Sequence, residues 1–280
     1  MKDIVDRFRQ TGDDSELHEY TCSDEYRSLD YVEKNKHFIT ASKLKAYDEC
    51  PYFAKLRYID GVEAPQKDKD YFVVGQAVDD WITYGQEDFQ DRYEKVSRRT
   101  GKSEKIELTG SQHSTVCNAV GEVQANDLIP DKMDKEIVFW LAFDKYPCKA
   151  ELDHYDSKNK EIIDLKTCAN ILTFDPNNYW LQMSFYFAGM PEKYNEKCEA
   201  SLCVVDKHEW SRSHKWTFSV PTLEGNQHRI NDLIKKWVDS EESGIWEMVD
   251  VDTEEGRRIA FSSPYYQIIP ECRTSSPSIL

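Results

Sequence analysis

No run of 18 apolar residues occurs in this sequence, so no part of it is long enough to cross a bilayer as a helix. The opening stretch MKDIVDRFRQTGDDSELHEY holds no apolar block, and a secretory signal is not expected. None of the eight cysteines sits in a CxxC pair. Without a secretion signal a disulfide scaffold is not expected either, and the thiols read as reduced in a cytoplasmic protein. The seven histidines form no HxxxH or HxH pattern, which argues against zinc. Internal repeats and low-complexity tracts are missing as well. Positive charge is scarce, with 36 Lys and Arg against 52 Asp and Glu, a net charge of −16. That weighs against nucleic-acid binding over the whole surface, because phosphate contacts need Lys and Arg. A net charge is only a sum, however. One groove can be basic under an acidic exterior, and clustered carboxylates can ligate a metal and reverse the local sign.

The chain is long enough for one large domain or slightly more. Residues 1–36 are polar and acid-rich and read as a partly ordered leader. A helical N-terminal part spans 37–130. It holds a capped helix in FITASKLKAYDECPYFAKLRYIDG, interrupted at Pro51, then a helix over 71–94 with Val74, Val78, Trp81 and Ile82 as its buried stripe, and a further helix over 111–128. KVSRRTGKSEK between these two reads as a basic loop or helix end. A core spans 131–250, with strands expected at 136–143, 148–155, 160–167, 199–206 and 215–221 and helices at 176–190 and 226–244. Residues 251–280 form a tail, rich in Ser and Pro beyond about residue 262. Together these predict an α/β fold, a mixed central sheet flanked by helices, with a helical N-terminal addition.

Chemistry concentrates in CKAELDHYDSKNKEIIDLKTC, residues 148–168. Asp, Ser and Asn in DSKN favour a turn between two strands. Side chains alternate along a strand, so Asp164 and Lys166 share a face, roughly 7 Å apart at strand rise. Closing the hairpin lets Asp153 meet Asp164. Two carboxylates and the backbone carbonyl of Leu165 suit a hard cation such as Mg²⁺. Lys166 beside them can orient or deprotonate a water, or offset charge on a reacting phosphate. That set suits phosphodiester hydrolysis. D-x-K alone is common on solvated strands. Here Asp164 follows Ile162 and Ile163, an apolar setting where a charge needs a partner, and a helix with Gln182 and Tyr186 on one face comes next.

The ordered set resembles the PD-(D/E)XK nuclease superfamily, in its RecB-like and RecE-type exonuclease branch. Asp153 in AELD, Asp164 and Lys166 in DLKT, and Gln182 and Tyr186 in QMSFY match that pattern. SKLKAYDECPYFAKLRYIDG resembles the N-terminal helix of the same branch, so the resemblance covers roughly residues 38 to 250. It implies a restriction-endonuclease-like core and a metal-dependent DNA nuclease. Asp153 and Asp164 would bind Mg²⁺ or Mn²⁺, and Lys166 would position the attacking water. Gln182 and Tyr186 would hold Lys166 or a backbone phosphate. Glu136 would be an outer ligand or a strand-end charge. An exonuclease acting in repair, recombination or phage DNA processing comes first. A structure-specific or CRISPR-associated endonuclease and a non-cutting DNA-binding or assembly module are the alternatives. A homo-oligomer and a single-strand annealing or recombination partner are consistent with the branch.

Two departures stand out. Where many members have G-x-x-x-H on the second helix, this chain has Gly75 followed by Asp79. Asp79 or Asp80 takes over as ligand, or that ligand is absent. Some members hold an iron–sulfur cluster through a Cys-Pro and three C-terminal cysteines. Cys50-Pro51 is present, but after Cys203 only Cys272 follows, so no cluster is expected and Cys50 reads as a buried thiol. Lys95, Arg98, Arg99, Lys102 and Arg212 are candidate DNA-backbone contacts, although a solvated loop is the commoner role for a segment like that of the first four. Trp180, Trp210, Trp216, Trp237 and Trp246 are candidates for base stacking, although core packing is the commoner fate of a tryptophan.

Overall fold

A computed structural model describes residues 1–62, 70–101, 103–130, 134–190, 198–207, 211–250, 252–263 and 265. In chain order the elements begin with six helices: α1 (Lys2–Thr11), α2 (Ser15–Thr21), α3 (Asp24–Ser28), α4 (Tyr31–Asn35), α5 (Ala41–Glu49) and α6 (Pro51–Tyr58). Next come α7 (Asp70–Arg92), β1 (Tyr93–Val96), β2 (Ile106–Thr109) and α8 (Gly110–Ala125). The strands β3 (Asp134–Ala142), β4 (Tyr146–Asp156) and β5 (Glu161–Cys168) follow, then two 3-10 turns and α9 (Trp180–Gly189). The series closes with β6 (Glu199–Asp206), β7 (Ser213–Phe218), α10 (Val220–Gly225), α11 (Gln227–Ser243) and α12 (Glu254–Ser262). The strands form a five-stranded sheet in the order β3-β4-β5-β6-β7 and a separate pair, β1-β2. β5 and β6 run parallel, and β4 and β7 flank them antiparallel to their neighbours, which makes the sheet mixed.

The chain divides into two compact units: Met1–Gln66 with Phe139–Ala150 and Asn226–Leu280, and Lys67–Val138 with Glu151–Gly225. In the first unit, residues 1–36 differ from the expected leader. They carry α1 to α4, and Val5, Phe8, Leu17 and Tyr26 are buried. The apolar positions are there at helical spacing, but each helix is so short that the surrounding acids conceal the period. The expected interruption at Pro51 falls between α5 and α6, where Pro51 takes the first helical position and needs no N–H partner. α11 buries the stripe Ile230, Leu233, Ile234, Trp237 and Val238. The Tyr47 hydroxyl on α5 donates to the Lys236 carbonyl at 2.9 Å. Trp237 is 1% exposed and therefore belongs to the core, unavailable for base stacking.

In the second unit, α7 and α8 cover one sheet face. Val74, Ala77 and Val78 of α7 and Val116, Ala119, Val120 and Val123 of α8 pack with Ile163 and Leu165 of β5 and Cys203 and Val205 of β6. Each Val, Ile or Leu side chain among them contributes about 1.5–3 kcal/mol when fully buried. α7 is broken at Gly85, whose φ of 90° is open to glycine and costly for other residues. At Gly75 an added Cβ would lie 2.8 Å from Thr167 Oγ1, so the missing side chain is what lets α7 approach β5. The basic segment expected as a loop or helix end is corrected in part. Its first residues belong to β1, which pairs parallel with β2. Four-residue strands give too few alternations to read in advance. β7 starts two residues before the expected strand and ends three earlier, where Val220–Gly225 turns helical. α12 was not anticipated.

Candidate active site

The hairpin of β4 and β5 is in register from Asp156↔Glu161 to His154↔Ile163. Beyond that point the Leu165 N–H donates to Asp153 Oδ2 at 3.2 Å. A side-chain oxygen thus takes a place that a backbone carbonyl holds in an unbroken ladder. This bond fixes Asp153 beside the next residue pair of β5. By strand alternation Asp164 and Lys166 point away from Leu165 and Thr167, toward the face that carries α9. Asp164 is 1% exposed, and the Lys166 side chain is 24% exposed.

Three oxygens converge on Lys166 Nζ. Asp164 Oδ2 is ion-paired with it, Asp153 Oδ2 lies at 3.9 Å, and it donates to the Leu165 carbonyl at 3.4 Å. These are the three ligands that the sequence nominated for a cation. The structure therefore brings Asp153, Asp164, Lys166 and the Leu165 carbonyl to one point. Both carboxylates lie in the reach of one small positive group, and all donors are hard oxygens. The set fits Mg²⁺ or Mn²⁺. Among the described residues no three His, Cys, Asp or Glu side chains gather as a larger ligand set.

Gln182 and Tyr186 join the same cluster from α9. Gln182 Nε2 donates to Asp164 Oδ1 at 2.8 Å and to the Tyr186 hydroxyl at 2.7 Å. The resemblance implies a hold on Lys166 or a backbone phosphate; among the described residues Gln182 grips the acid Asp164 and not the amine. Burial pushes the Asp164 carboxyl up to about 7; Lys166 offsets part of that and Asp153 adds to it. For Lys166 burial favours the neutral amine, but Asp164 and Asp153 outweigh it and hold the ammonium above its ordinary range. The Tyr179 ring, which sequence reasoning did not single out, lies 5.8 Å from Lys166 Nζ.

The remaining candidates fall elsewhere. Asp79 Oδ1 accepts a bond from Thr83 Oγ1 at 3.4 Å, and Asp80 is buried, bonded by the Tyr93 hydroxyl at 2.7 Å. Gly75 packs on Thr167, on the opposite side of β5 from Asp164 by alternation, which places α7 across the sheet from the acid pair. Arg98 is exposed and Arg99 half-buried on the link between β1 and β2. Glu107, itself buried, pins that link by accepting from Thr100 and, at 2.8 Å, from the Gly101 N–H. Arg212 is committed to the fold: its guanidinium meets Asp206 Oδ2 at 2.8 and 3.0 Å and Asn170 Oδ1 at 3.3 Å. Asp206 is fully buried. Cys50 is a buried thiol whose pKa burial raises. Lys102, Trp210, Cys272 and the Glu136 side chain lie outside the described residues.

Comparison with known proteins agrees with this architecture. Residues 40–247 match the family model described as a PDDEXK-like domain of unknown function (DUF3799). No curated protein sequence matches the chain. Among solved structures, that of a candidate exonuclease from Eubacterium rectale superposes with a TM-score of 0.61 at 15% identity, over 78% of this chain and 86% of that one. At that identity the likeness speaks for the fold alone, and it is a mixed sheet flanked by helices. Among the described residues no helix is long and apolar enough to cross a membrane. With the model spanning most of its length and the acid–acid–lysine set in place, the chain belongs to the family of PDDEXK-like domains, on the fold of the PD-(D/E)XK nuclease superfamily.

Proposed function

We propose that this chain is a divalent-metal-dependent deoxyribonuclease that hydrolyses phosphodiester bonds, acting as an exonuclease from DNA ends. The observation that carries the reading is the convergence of Asp153, Asp164 and the Leu165 carbonyl on one cationic point. A bound Mg²⁺ or Mn²⁺ would supply polarisation of the phosphate and a more acidic water. Asp153, Asp164 and the Leu165 carbonyl would hold it. Gln182 keeps Asp164 in its rotamer and turns Oδ2 toward the cluster. Lys166, held as an ammonium, orients the incoming water and offsets charge growing on the phosphate oxygens. Tyr186 fixes the amide of Gln182 by accepting its second N–H.

The preference for ends rests on two likenesses. One is the QMSFY and DLKT pattern of RecB-like exonucleases. The other is the shared fold with the candidate exonuclease from Eubacterium rectale. On this reading the protein works in the cytoplasm on DNA made during recombination, repair or phage growth, alone or as a homo-oligomer, beside a strand-annealing partner. The test uses purified protein, linear and circular DNA, and Mg²⁺ or Mn²⁺. Degradation confined to linear DNA and abolished by Lys166→Ala supports the exonuclease. Nicking of circles at the same rate points to an endonuclease. Binding without cutting in either metal rejects the enzyme.

A further inference from the structure

The sheet register extends the active-site face beyond the acids. Asp164 pairs with Leu202, and Leu202 with Trp216. Lys166 pairs with Val204, and Val204 with His214. Paired residues point to the same side, so Trp216 and His214 on β7 share the face of Asp164 and Lys166, two strands or about 10 Å away. The segment between β5 and α9 spans that distance with rings. From Lys166 Nζ the Tyr179 ring is at 5.8 Å. Phe174 stacks on Tyr179 at 5.4 Å with planes 17° apart, Trp216 lies 5.4 Å from Phe174, and His214 meets Trp216 at 4.3 Å. Tyr179, Phe174 and Trp216 are only half-buried and His214 is exposed, unlike the covered aromatics of the core. Leu172, in the same connecting segment, is 78% exposed.

We propose that Tyr179, Phe174, Trp216 and His214 form a stacking platform for the unpaired bases of a DNA strand next to the cleavage centre, so that the preferred substrate is single-stranded. This rests on the nuclease reading above. The charge balance favours it. Cations are outnumbered 36 to 52 over the whole chain, and ring–base stacking provides affinity that does not depend on phosphate contacts. Stacking accepts any base, because every base has a π-face. A duplex end would have to open before its bases reached the rings.

Binding is measured without metal, so nothing is cut, using a labelled oligothymidylate and a blunt duplex of equal length. Trp216→Leu and Phe174→Leu keep apolar bulk and lose the ring. Each should weaken single-strand binding about tenfold and leave duplex binding within about twofold, and Trp216→Phe should restore most of the loss. A second measurement needs no substitution. Photocrosslinking of an iodouracil-substituted strand to the wild-type chain should label the peptides that carry Phe174, Tyr179 or Trp216. Folded Leu variants that bind the single strand normally, or lose both ligands equally, overturn the platform, as do crosslinks found only elsewhere. Cutting of the same strands in Mg²⁺ is scored separately. A chain that cuts but binds both ligands equally rejects the platform alone, and one that stacks but never cuts rejects the nuclease alone.

Discussion

The ammonium of Lys166 and the buried carboxylate of Asp164 are ion-paired at the spot where the Asp153 carboxylate and the Leu165 carbonyl also point. One positive charge faces two carboxylates, and a bound metal ion would compete with the lysine for the same oxygens. Lys166→Met should lower cutting by about 10²–10⁴-fold, the worth of a positioned acid–base group. It should bind Mn²⁺ at least as tightly as wild type, because the resident cation is gone. Mn²⁺ binding followed by electron paramagnetic resonance checks this, and weaker binding in the variant contradicts it.

Asp164 predicts a pH dependence. Its carboxyl is raised to about 7, so the donor is lost as pH falls through that value. Cutting should fall with it. A metal competes with the proton, so a higher Mg²⁺ concentration should move this acid limb to lower pH. For folding the sign is opposite. The folded chain holds this proton more tightly than the unfolded chain, whose group titrates near 3.8. The buried charge thus weakens the fold above about 7, and the penalty fades as pH drops. Rate profiles at two Mg²⁺ concentrations are the check. An acid limb that ignores the metal would show that another group controls it.

Gly75→Ala pits two effects against each other. Helix propensity favours alanine by about 1 kcal/mol. The new Cβ would sit 2.8 Å from Thr167 Oγ1, and overpacking costs about 1–3 kcal/mol. We expect a net loss in urea unfolding that Thr167→Ala largely restores, a coupling that a double-mutant cycle measures. Because Thr167 adjoins Lys166, the single variant should also lower activity more than its stability loss explains.

Arg212→Ala should act on stability first. It leaves the fully buried Asp206 without its guanidinium. Breaking a buried pair costs about 3–5 kcal/mol, and the half-exposed Arg212 brings the expectation down to about 2. Arg212→Lys should recover only part, because an ammonium lacks the fork that reaches Asp206 and Asn170 together. A variant of unchanged stability with weakened DNA binding would return Arg212 to the phosphate contacts.

The sequence made the central hairpin readable because its signals are short-range. Alternation, the DSKN turn and the i, i+4 pair Gln182 and Tyr186 each need only a few neighbouring residues. What bound Gln182 to Asp164 and not to Lys166 was a question of rotamers and distances, which no spacing encodes. The N-terminal helices were hidden because each shows a single turn or two of apolar spacing among acids. The pairing of Arg212 with Asp206 was not legible, because Asp206 is a buried acid that looks like any strand-end charge. The Phe174 and Tyr179 rings sit among Asp, Pro and Asn, a composition that reads as loop. Their alignment with Trp216 and His214 exists only once β7 is set in register with β6.

The bond from the Leu165 amide to Asp153 ties a reactive group to the sheet's own hydrogen bonding. Replacing that acid by alanine would leave an amide searching for an acceptor at the mouth of the hairpin, so chemistry and architecture would fail together. Lys166 shares that dual duty, because its ammonium compensates the buried carboxylate of Asp164 and bonds the Leu165 carbonyl. A descendant of this fold retired from cutting but kept for holding DNA would therefore retain both Asp153 and Lys166 as fossils of the chemistry.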